Sequence, residues 1–547
     1  MGNKSMLFYF LLILYAAQGQ LDCQTCMIAA GALQYLLSNS LFQGTLKNYL
    51  IDICQKTTDP NYCNTIGSLV LGEVADVLQR RFVNGIFLCS RPGICNSAEY
   101  ILEDFESWAK NALKNTPDYQ IPIRSLNYLH FAQISDIRLD RKYISGASNL
   151  CSSGPCCRKG TPKNTSDTAG PNGDYNCELP LPTLRKALDS ISQNNPDFII
   201  WNGNSVAHDL LLSSSDRLNV IKNVTQEILN KFNSYLTPVF PIFGPLDCYP
   251  EHQYDFSADS YFLKSLTNLW SIWLGKQGAA QFAEKGVYSV QYKNTNLRII
   301  GLNTLSCDIN NFYLFANVTD PNGYILWLNN ELANAEMYGY KVYIIGNIAP
   351  GSKSCVNSWS KHYSVLMERY QNTVMGQFFG GENRDEFRIN KGYFSSKPTG
   401  IQFISPSLSP YKNSNPSYRI YQADALSKVI INYTQYRLNL TEAKPSFFQA
   451  YDFLSFYKVE NMLPPTILNL SAKIKKYELL MMKYVTNKYT NGPDTPLGCK
   501  AQCLNDFYCE ITNDRQEEVE KCQGIGESIK EFLLNSLYGK WTYIVER

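Results

Sequence analysis

Histidine is rare in this sequence: four in 547 residues, His130, His208, His252 and His362. Transition-metal sites are built from His, Cys and carboxylates, so a histidine-rich metal centre is short of ligands from the outset. An excess of charge of either sign is also lacking. Fifty Lys and Arg stand against 48 Asp and Glu, for a net charge of +2. With no dense basic stripe, there is no electrostatic case for a nucleic-acid partner. No internal repeat or low-complexity tract is present. No apolar run reaches the roughly 20 residues that a membrane-spanning helix needs.

What is present points outward from the cell. The start, MGNKSMLFYFLLILYAAQGQ, places Lys4 before an apolar run from Met6 to Ala17 and then small residues. This is the layout of a secretory signal peptide over residues 1–19. The run is too short to be an anchor, and Met6 stands where a myristoylation signal takes Ser or Thr. The expected product is secreted or lysosomal/luminal, with no transmembrane segment in the mature chain. Seventeen cysteines fit an oxidising compartment. Six Asn-x-Ser/Thr sequons agree, at Asn164, Asn223, Asn317, Asn432, Asn439 and Asn469.

At this length one core is too few, and two or three domains are expected. Cys23, Cys26, Cys54, Cys63, Cys89 and Cys95 fall among helical-period stretches such as MIAAGALQYLLSN and IGSLVLGEVADVLQRRF. A segment that small needs covalent staples. The CxxC at Cys23 admits zinc or redox chemistry, but in a secreted chain structural disulfides are the expected use.

Residues 98–125 read as a polar linker. Beyond it, short apolar runs end in Gly, Asp or Asn: FAQISD, FIIWNGN, VFPIFGPLD, LRIIGLN, VYIIGN and MGQFFGGEN. Helical patterns such as LPTLRKALDSISQ lie between them. Buried strands alternating with helices predict an α/β layered domain over 126–454, with any ligand at the strand ends. From 455 to 547 the pattern is helical again, as in LSAKIKKYELLMMKYV.

The strand ends supply Asp136 with Arg138, Asn202 with Asn204, His208 with Asp209, then Asp247, Asn303, Asn347, Glu382, Asn383 and Arg384. Only one of the four histidines is among them.

Two resemblances organise these features. The six N-terminal cysteines, with 2, 27, 8, 25 and 5 residues between them on amphipathic helices, resemble a saposin B-type domain, over residues 20–97. That implies a nested pairing, Cys23–Cys95, Cys26–Cys89 and Cys54–Cys63, and an apolar face that lipid can cover. The plainer alternative is a stapled helical module without lipid contact.

The mature chain as a whole resembles acid sphingomyelinase, a family of calcineurin-like metallophosphoesterases. The likeness is carried by CSSGPCCRKG, WNGNSVAHD, VTDPNGYILWLNNELANAE, KVYIIGNIAPG, RYQNTVMGQFF and CKAQC. It implies a helical saposin fold, an α/β sandwich of two helix-flanked sheets, and a C-terminal helical subdomain. It also implies disulfides Cys151–Cys156, Cys157–Cys177, Cys307–Cys355, Cys499–Cys503 and Cys509–Cys522, leaving Cys248 odd.

The family holds two zinc ions on seven side chains at the strand tips. Carried over one by one, the positions are Asp136, Arg138, Asn204, Pro245, Asn347, Gly381 and Asn383, and only Asp136 is a family ligand. His208 matches a family histidine placed to protonate the leaving group. No zinc cofactor is expected.

The sequence therefore predicts a catalytically inactive sphingomyelinase-like protein (a pseudoenzyme) that binds lipid or a membrane surface through its saposin module, with Arg138 and Arg384 as candidate phosphate ligands. The plainer role for Arg138 is to pair with Asp136 or Asp140. The alternative is an active sphingomyelin phosphodiesterase with an altered site. In it, Asp136, Asp247, Glu382 and the amides of Asn204, Asn347 and Asn383 hold Ca²⁺ or Mg²⁺, or His208 and Asp209 act as an acid–base pair. A third reading is a structural or partner-binding glycoprotein of unknown partner.

Overall fold

The computed structural model describes scattered positions between residues 24 and 67. It then covers residues 105 to 524, with short gaps at 126, 152–154, 161–166, 257–259, 316–319 and 500. The signal peptide, most of the saposin-like segment, the bridges Cys23–Cys95 and Cys26–Cys89, and the sequons at Asn164 and Asn317 lie outside the described residues. Cys63 is described, and it is disulfide-bonded. The chain divides into two units, one of residues 1–111, 312–317 and 541–547, the other of 112–311 and 318–540. The second unit carries the strand tips.

Its strands in chain order are β1 (Tyr128–Ile134), β2 (Phe198–Trp201), β3 (Val239–Pro241), β4 (Tyr288–Gln291), β5 (Leu297–Gly301) and β6 (Lys341–Ile348). β7 (Val374–Gly380), β8 (Glu386–Lys391), β9 (Pro398–Ile404), β10 (Ser417–Asp424), β11 (Ile430–Leu438) and β12 (Phe447–Asp452) follow. They form two six-stranded sheets, ordered β12-β11-β10-β1-β2-β3 and β4-β5-β6-β7-β9-β8. The six apolar runs in the sequence are β1, β2, β3, β5, β6 and β7. Within each sheet they run parallel to their neighbours in this set, so their C-terminal ends share an edge. A parallel strand buried on both faces reads as a continuous apolar run, which is why these six were legible.

Aromatic rings join the two inner faces. Phe131 of β1 stacks on Phe198 at 4.6 Å and meets Phe378 of β7 edge-on at 5.3 Å. Polar chains cross between the sheets as well: Gln133 Nε2 donates to Asn202 Oδ1 and to the Phe379 carbonyl, at 2.8 and 3.0 Å. Helices α1 (Phe105–Leu113), α2 (Leu181–Gln193), α3 (Ser214–Lys231), α4 (Tyr261–Lys285), α5 (Tyr324–Met337) and α6 (Asn357–Arg369) precede or connect the strands. α3 begins on a capping box, in which Ser213 accepts from the Asp216 amide and Asp216 accepts from the Ser213 amide.

After the sheets come α7 (Phe453–Tyr457), α8 (Pro464–Lys476), α9 (Glu478–Lys488), α10 (Ala501–Thr512) and α11 (Gln516–Gln523). The helical stretch LSAKIKKYELLMMKYV spans the end of α8 and most of α9, which meet at Tyr477 with no proline or glycine to announce the break. The five disulfides implied for the second unit are present. Cys248 is free and buried, and burial pushes its thiol well above the usual range. Among the described residues no helix is long and apolar enough to cross a membrane.

Candidate functional site

The strand tips carry backbone that ordinary residues avoid. Asp136, Arg138, Asn204 and Asn383 have φ of 50°, 49°, 52° and 60°, in the left-handed region that costs on the order of 1–3 kcal/mol. Strain of this kind persists only where surrounding contacts over-determine it. Here the contacts converge on one carboxylate.

Asp136 is fully buried. Its Oδ2 accepts from Ser135 Oγ at 2.6 Å and from the Gly381 amide at 2.8 Å. Its Oδ1 accepts from Asn204 Nδ2 at 2.8 Å and from Arg138 Nη2 at 3.3 Å. A Cβ on Gly380 would strike Ser135 Oγ at 1.7 Å and Asp136 Oδ2 at 2.9 Å. A Cβ on Gly381, whose φ is 77°, would meet the Asn347 carbonyl at 3.1 Å. The two glycines let the β7 tip close onto the β1 tip.

Arg138 is 2% exposed and donates through Nη2 to Asn383 Oδ1 as well as to Asp136. Its Nε and Nη1 are buried without a hydrogen-bond partner. Of the two pairings weighed for Arg138, Asp136 takes the guanidinium, while Asp140 goes to Arg158 at 2.8 Å.

The amides close the rest of the hole. Asn204 Nδ2 also reaches Asn347 Oδ1 at 3.2 Å, and its own Oδ1 accepts from the Leu246 amide at 2.9 Å. Asn347 Nδ2 donates to the Asn202 carbonyl at 2.7 Å. Pro245 is buried at the start of a short 3-10 turn and has no donor or acceptor in its side chain.

These residues do not fit two zinc ions. Of the seven family positions one is a carboxylate, and a guanidinium lies 3.3 Å from it. Of the oxygen donors named for a Ca²⁺ or Mg²⁺ ion, the carboxylates beyond Asp136 are differently engaged. The carboxylate of Asp247 accepts four backbone amides, from Gly244, Asn204, Ser205 and Val206, at 2.7 to 3.2 Å. Burial pushes it up to about 6, with those amides opposing. It is a loop clamp. Glu382 is raised, first by burial and then by Glu386. Burial opposes ionisation of Glu386 too, but Lys488 and Arg388 hold it below its usual range. Among the described residues the one group of three His, Cys, Asp or Glu side chains close enough to share an ion is Cys157, Asp174 and Cys177, and those cysteines are bonded to each other.

Arg384 does not join Arg138 in any contact the structure records. Its guanidinium lies 4.3 Å from the centre of the Tyr489 ring and donates to Ser414 Oγ at 3.2 Å, and burial lowers its pKa. The expected partnership of His208 with Asp209 is also corrected. His208 Nδ1 is 2.6 Å from Glu178 Oε1, and the Glu178 carboxylate accepts from Ser409 Oγ at 2.6 Å. The ring packs 5.1 Å from Tyr411. Asp209 turns the other way, to Arg158 Nη1 at 2.5 Å. Glu178 was missed because it lies 30 residues away, at the mouth of a proline-flanked helix; only the buried carboxylate beside the ring marks it. Of the described sequons, Asn223 and Asn469 are exposed, whereas Asn432 donates to Asp452.

Two mixed six-stranded sheets packed face to face and flanked by helices thus carry a polar site at the C-terminal ends of their parallel strands. No family model matches the chain. Curated relatives match nearly all of it: sphingomyelin phosphodiesterase A of Dictyostelium discoideum is 28% identical over 546 residues, covering 92% of this chain and 91% of that protein. Sphingomyelin phosphodiesterase of Bos taurus is 29% identical over 531 residues, covering 92% and 84%. Among solved structures, a dimetal phosphatase from Danio rerio aligns with 59% of this chain and 99% of its own, at 11% identity and a TM-score of 0.34. Along about nine-tenths of its length the chain is thus similar to sphingomyelin phosphodiesterases.

Proposed function

We propose that this protein is a secreted or lysosomal sphingomyelinase-like pseudoenzyme. It keeps the overall sequence likeness to its relatives, does not hydrolyse, and binds lipid through residues 20–97 and phosphate-bearing headgroups at the strand tips. One observation carries the reading: the Arg138 guanidinium sits between Asp136 and Asn383, two positions where the resemblance implies metal ligands. A guanidinium holds phosphate through charge-assisted hydrogen bonds, but it cannot turn a bound water into a nucleophile as a metal pair does. The unpartnered Nε and Nη1 of Arg138 are donors for two phosphate oxygens. Arg384 is committed elsewhere and takes no part.

The test is to assay purified protein on sphingomyelin at pH 5 and pH 7 with metal analysis, and to titrate it with soluble phosphocholine. No turnover, less than one bound metal per chain, and phosphocholine binding that weakens at least tenfold in Arg138→Gln are expected. Turnover above the Asp136→Asn background sinks the pseudoenzyme reading. Binding unchanged in Arg138→Gln sinks the headgroup role.

A second reading rests on His208. Its ring nitrogen is held by Glu178, as an acid–base histidine must be oriented to work. If the protein hydrolyses phosphodiesters, His208→Asn and Glu178→Gln each lower kcat, and Glu178→Gln displaces the pH profile.

A further inference from the structure

The corner between α8 and α9 is built unlike the rest of the surface. α8 buries Pro464, Ile467, Leu470, Ser471 and Ile474, and α9 buries Met481, Tyr484 and Val485. That leaves residues 475–479 exposed in succession where the two helices meet. At that corner Leu479 is 83% exposed and Tyr477 53%. Lys473, Lys475, Lys476 and Lys483 are exposed around them, and Glu478 is the sole carboxylate from residue 464 to 488. The nearly balanced total charge conceals this cluster.

Lysines in the last turn of α8 complement the helix dipole, which accounts for three of the four. It accounts neither for Lys483, whose Nζ lies 5.7 Å from the centre of the Phe456 ring, nor for the exposure of Leu479 and of Tyr477, over whose ring Lys476 Nζ lies at 5.5 Å. Cations interleaved with exposed aliphatic and aromatic side chains on helices are the composition of an interfacial surface, where apolar groups enter the headgroup boundary and lysines face anionic lipid. A protein ligand of the helix-in-groove kind would need a groove, whereas residues 475–479 are all exposed.

We propose that the α8–α9 corner docks on anionic membrane surfaces, with Leu479 and Tyr477 at the headgroup boundary and the lysines against acidic lipid. This contact is independent of residues 20–97 and of the tip site. The far end of α9 is tied to the β7–β8 loop, where Lys488 Nζ bonds Glu386 Oε1 at 3.0 Å and the Lys488 carbonyl accepts from the Asp385 amide at 3.0 Å. Eleven residues of helix place that loop about 16 Å from the corner. Soluble phosphocholine binding at Arg138 and vesicle binding at the corner can therefore fail separately.

The experiment is flotation of the full-length protein with vesicles of phosphatidylcholine alone and of phosphatidylcholine mixed with phosphatidylserine, whose negative surface potential attracts lysines. Preference for the anionic vesicles, lost in high salt, is expected. The double variant Lys473→Gln/Lys476→Gln should weaken that binding roughly 25-fold, about fivefold per lysine. Leu479→Asp should weaken it about tenfold or more. Lys473→Arg/Lys476→Arg should bind like the parent, and all variants should melt like it. Equal binding by parent, Gln variants and Leu479→Asp would place membrane contact elsewhere and overturn the proposal. So would the absence of any preference for anionic vesicles.

Discussion

Two buried arginines, Arg138 and Arg419, each face a buried aspartate, and their surroundings could hardly differ more. Arg419 engages every nitrogen: Nε on Gln435 Oε1 at 3.0 Å, Nη1 on Tyr421 OH at 3.1 Å, and Nη2 on Asp385 Oδ1 at 2.5 Å and the Glu386 carbonyl at 3.2 Å. Its guanidinium also lies 4.5 Å from the centre of the Tyr433 ring, and Tyr451 OH bonds the other oxygen of Asp385 at 2.8 Å. Arg138 uses Nη2 alone and leaves Nε and Nη1 unmatched. A buried donor left unmatched costs roughly 1–3 kcal/mol. The Arg419 cluster is therefore architecture, and the Arg138 cluster is a place with hydrogen-bonding capacity in reserve. Asp247 is a third case, a buried carboxylate that accepts four backbone amides.

Removing each group in turn tests that ranking. Arg419→Ala strands Asp385 in the core and should cost about 3–5 kcal/mol in denaturant unfolding; a loss below 1 kcal/mol would erase the contrast. Asp247 gives a pH signature. Its pKa is raised from 3.8 to about 6 on folding, so the folded state binds the proton more tightly than the unfolded chain. The stabilisation is full below pH 4 and is lost as pH rises through 6, about 3 kcal/mol in all. The melting temperature should fall between pH 4.5 and pH 7, and Asp247→Asn should flatten that slope while lowering stability throughout. Arg138→Ala should cost only about 2 kcal/mol, because Ser135, Asn204 and Gly381 still serve Asp136. A cost equal to that of Arg419→Ala would mean that the tip site is as structural as the core pair. Leu479→Asp, at the exposed corner, should move stability by less than 0.5 kcal/mol.

Much of the scaffold could be read from residues alone, for a physical reason. β1, β2, β3 and β5 to β7 are apolar strands that end on Gly, Asn or Asp, so burial on both faces is written into composition. β10 and β11, SYRIYQAD and IINYTQYRL, carry polar groups such as Arg419 and Gln435 that are buried because they satisfy one another across strands. No periodicity announces that. The tip residues were legible as a set, since each follows a strand. What they do to one another was not: adjacency suggested His208 with Asp209, whereas the fold brings Glu178 to the ring and sends Asp209 to Arg158.

The Arg138 bridge between the β1 and β7 tips has one further consequence. A metal that joins two loops is a ligand, and its grip follows mass action, weakening with dilution, chelation or competing protons. A guanidinium attached to one of the loops is present at an effective concentration that no solvent condition changes, and it stays charged at any physiological pH. The contact that Arg138 makes between these two strand tips, to Asp136 and to Asn383, therefore keeps its charge from neutral to acidic pH.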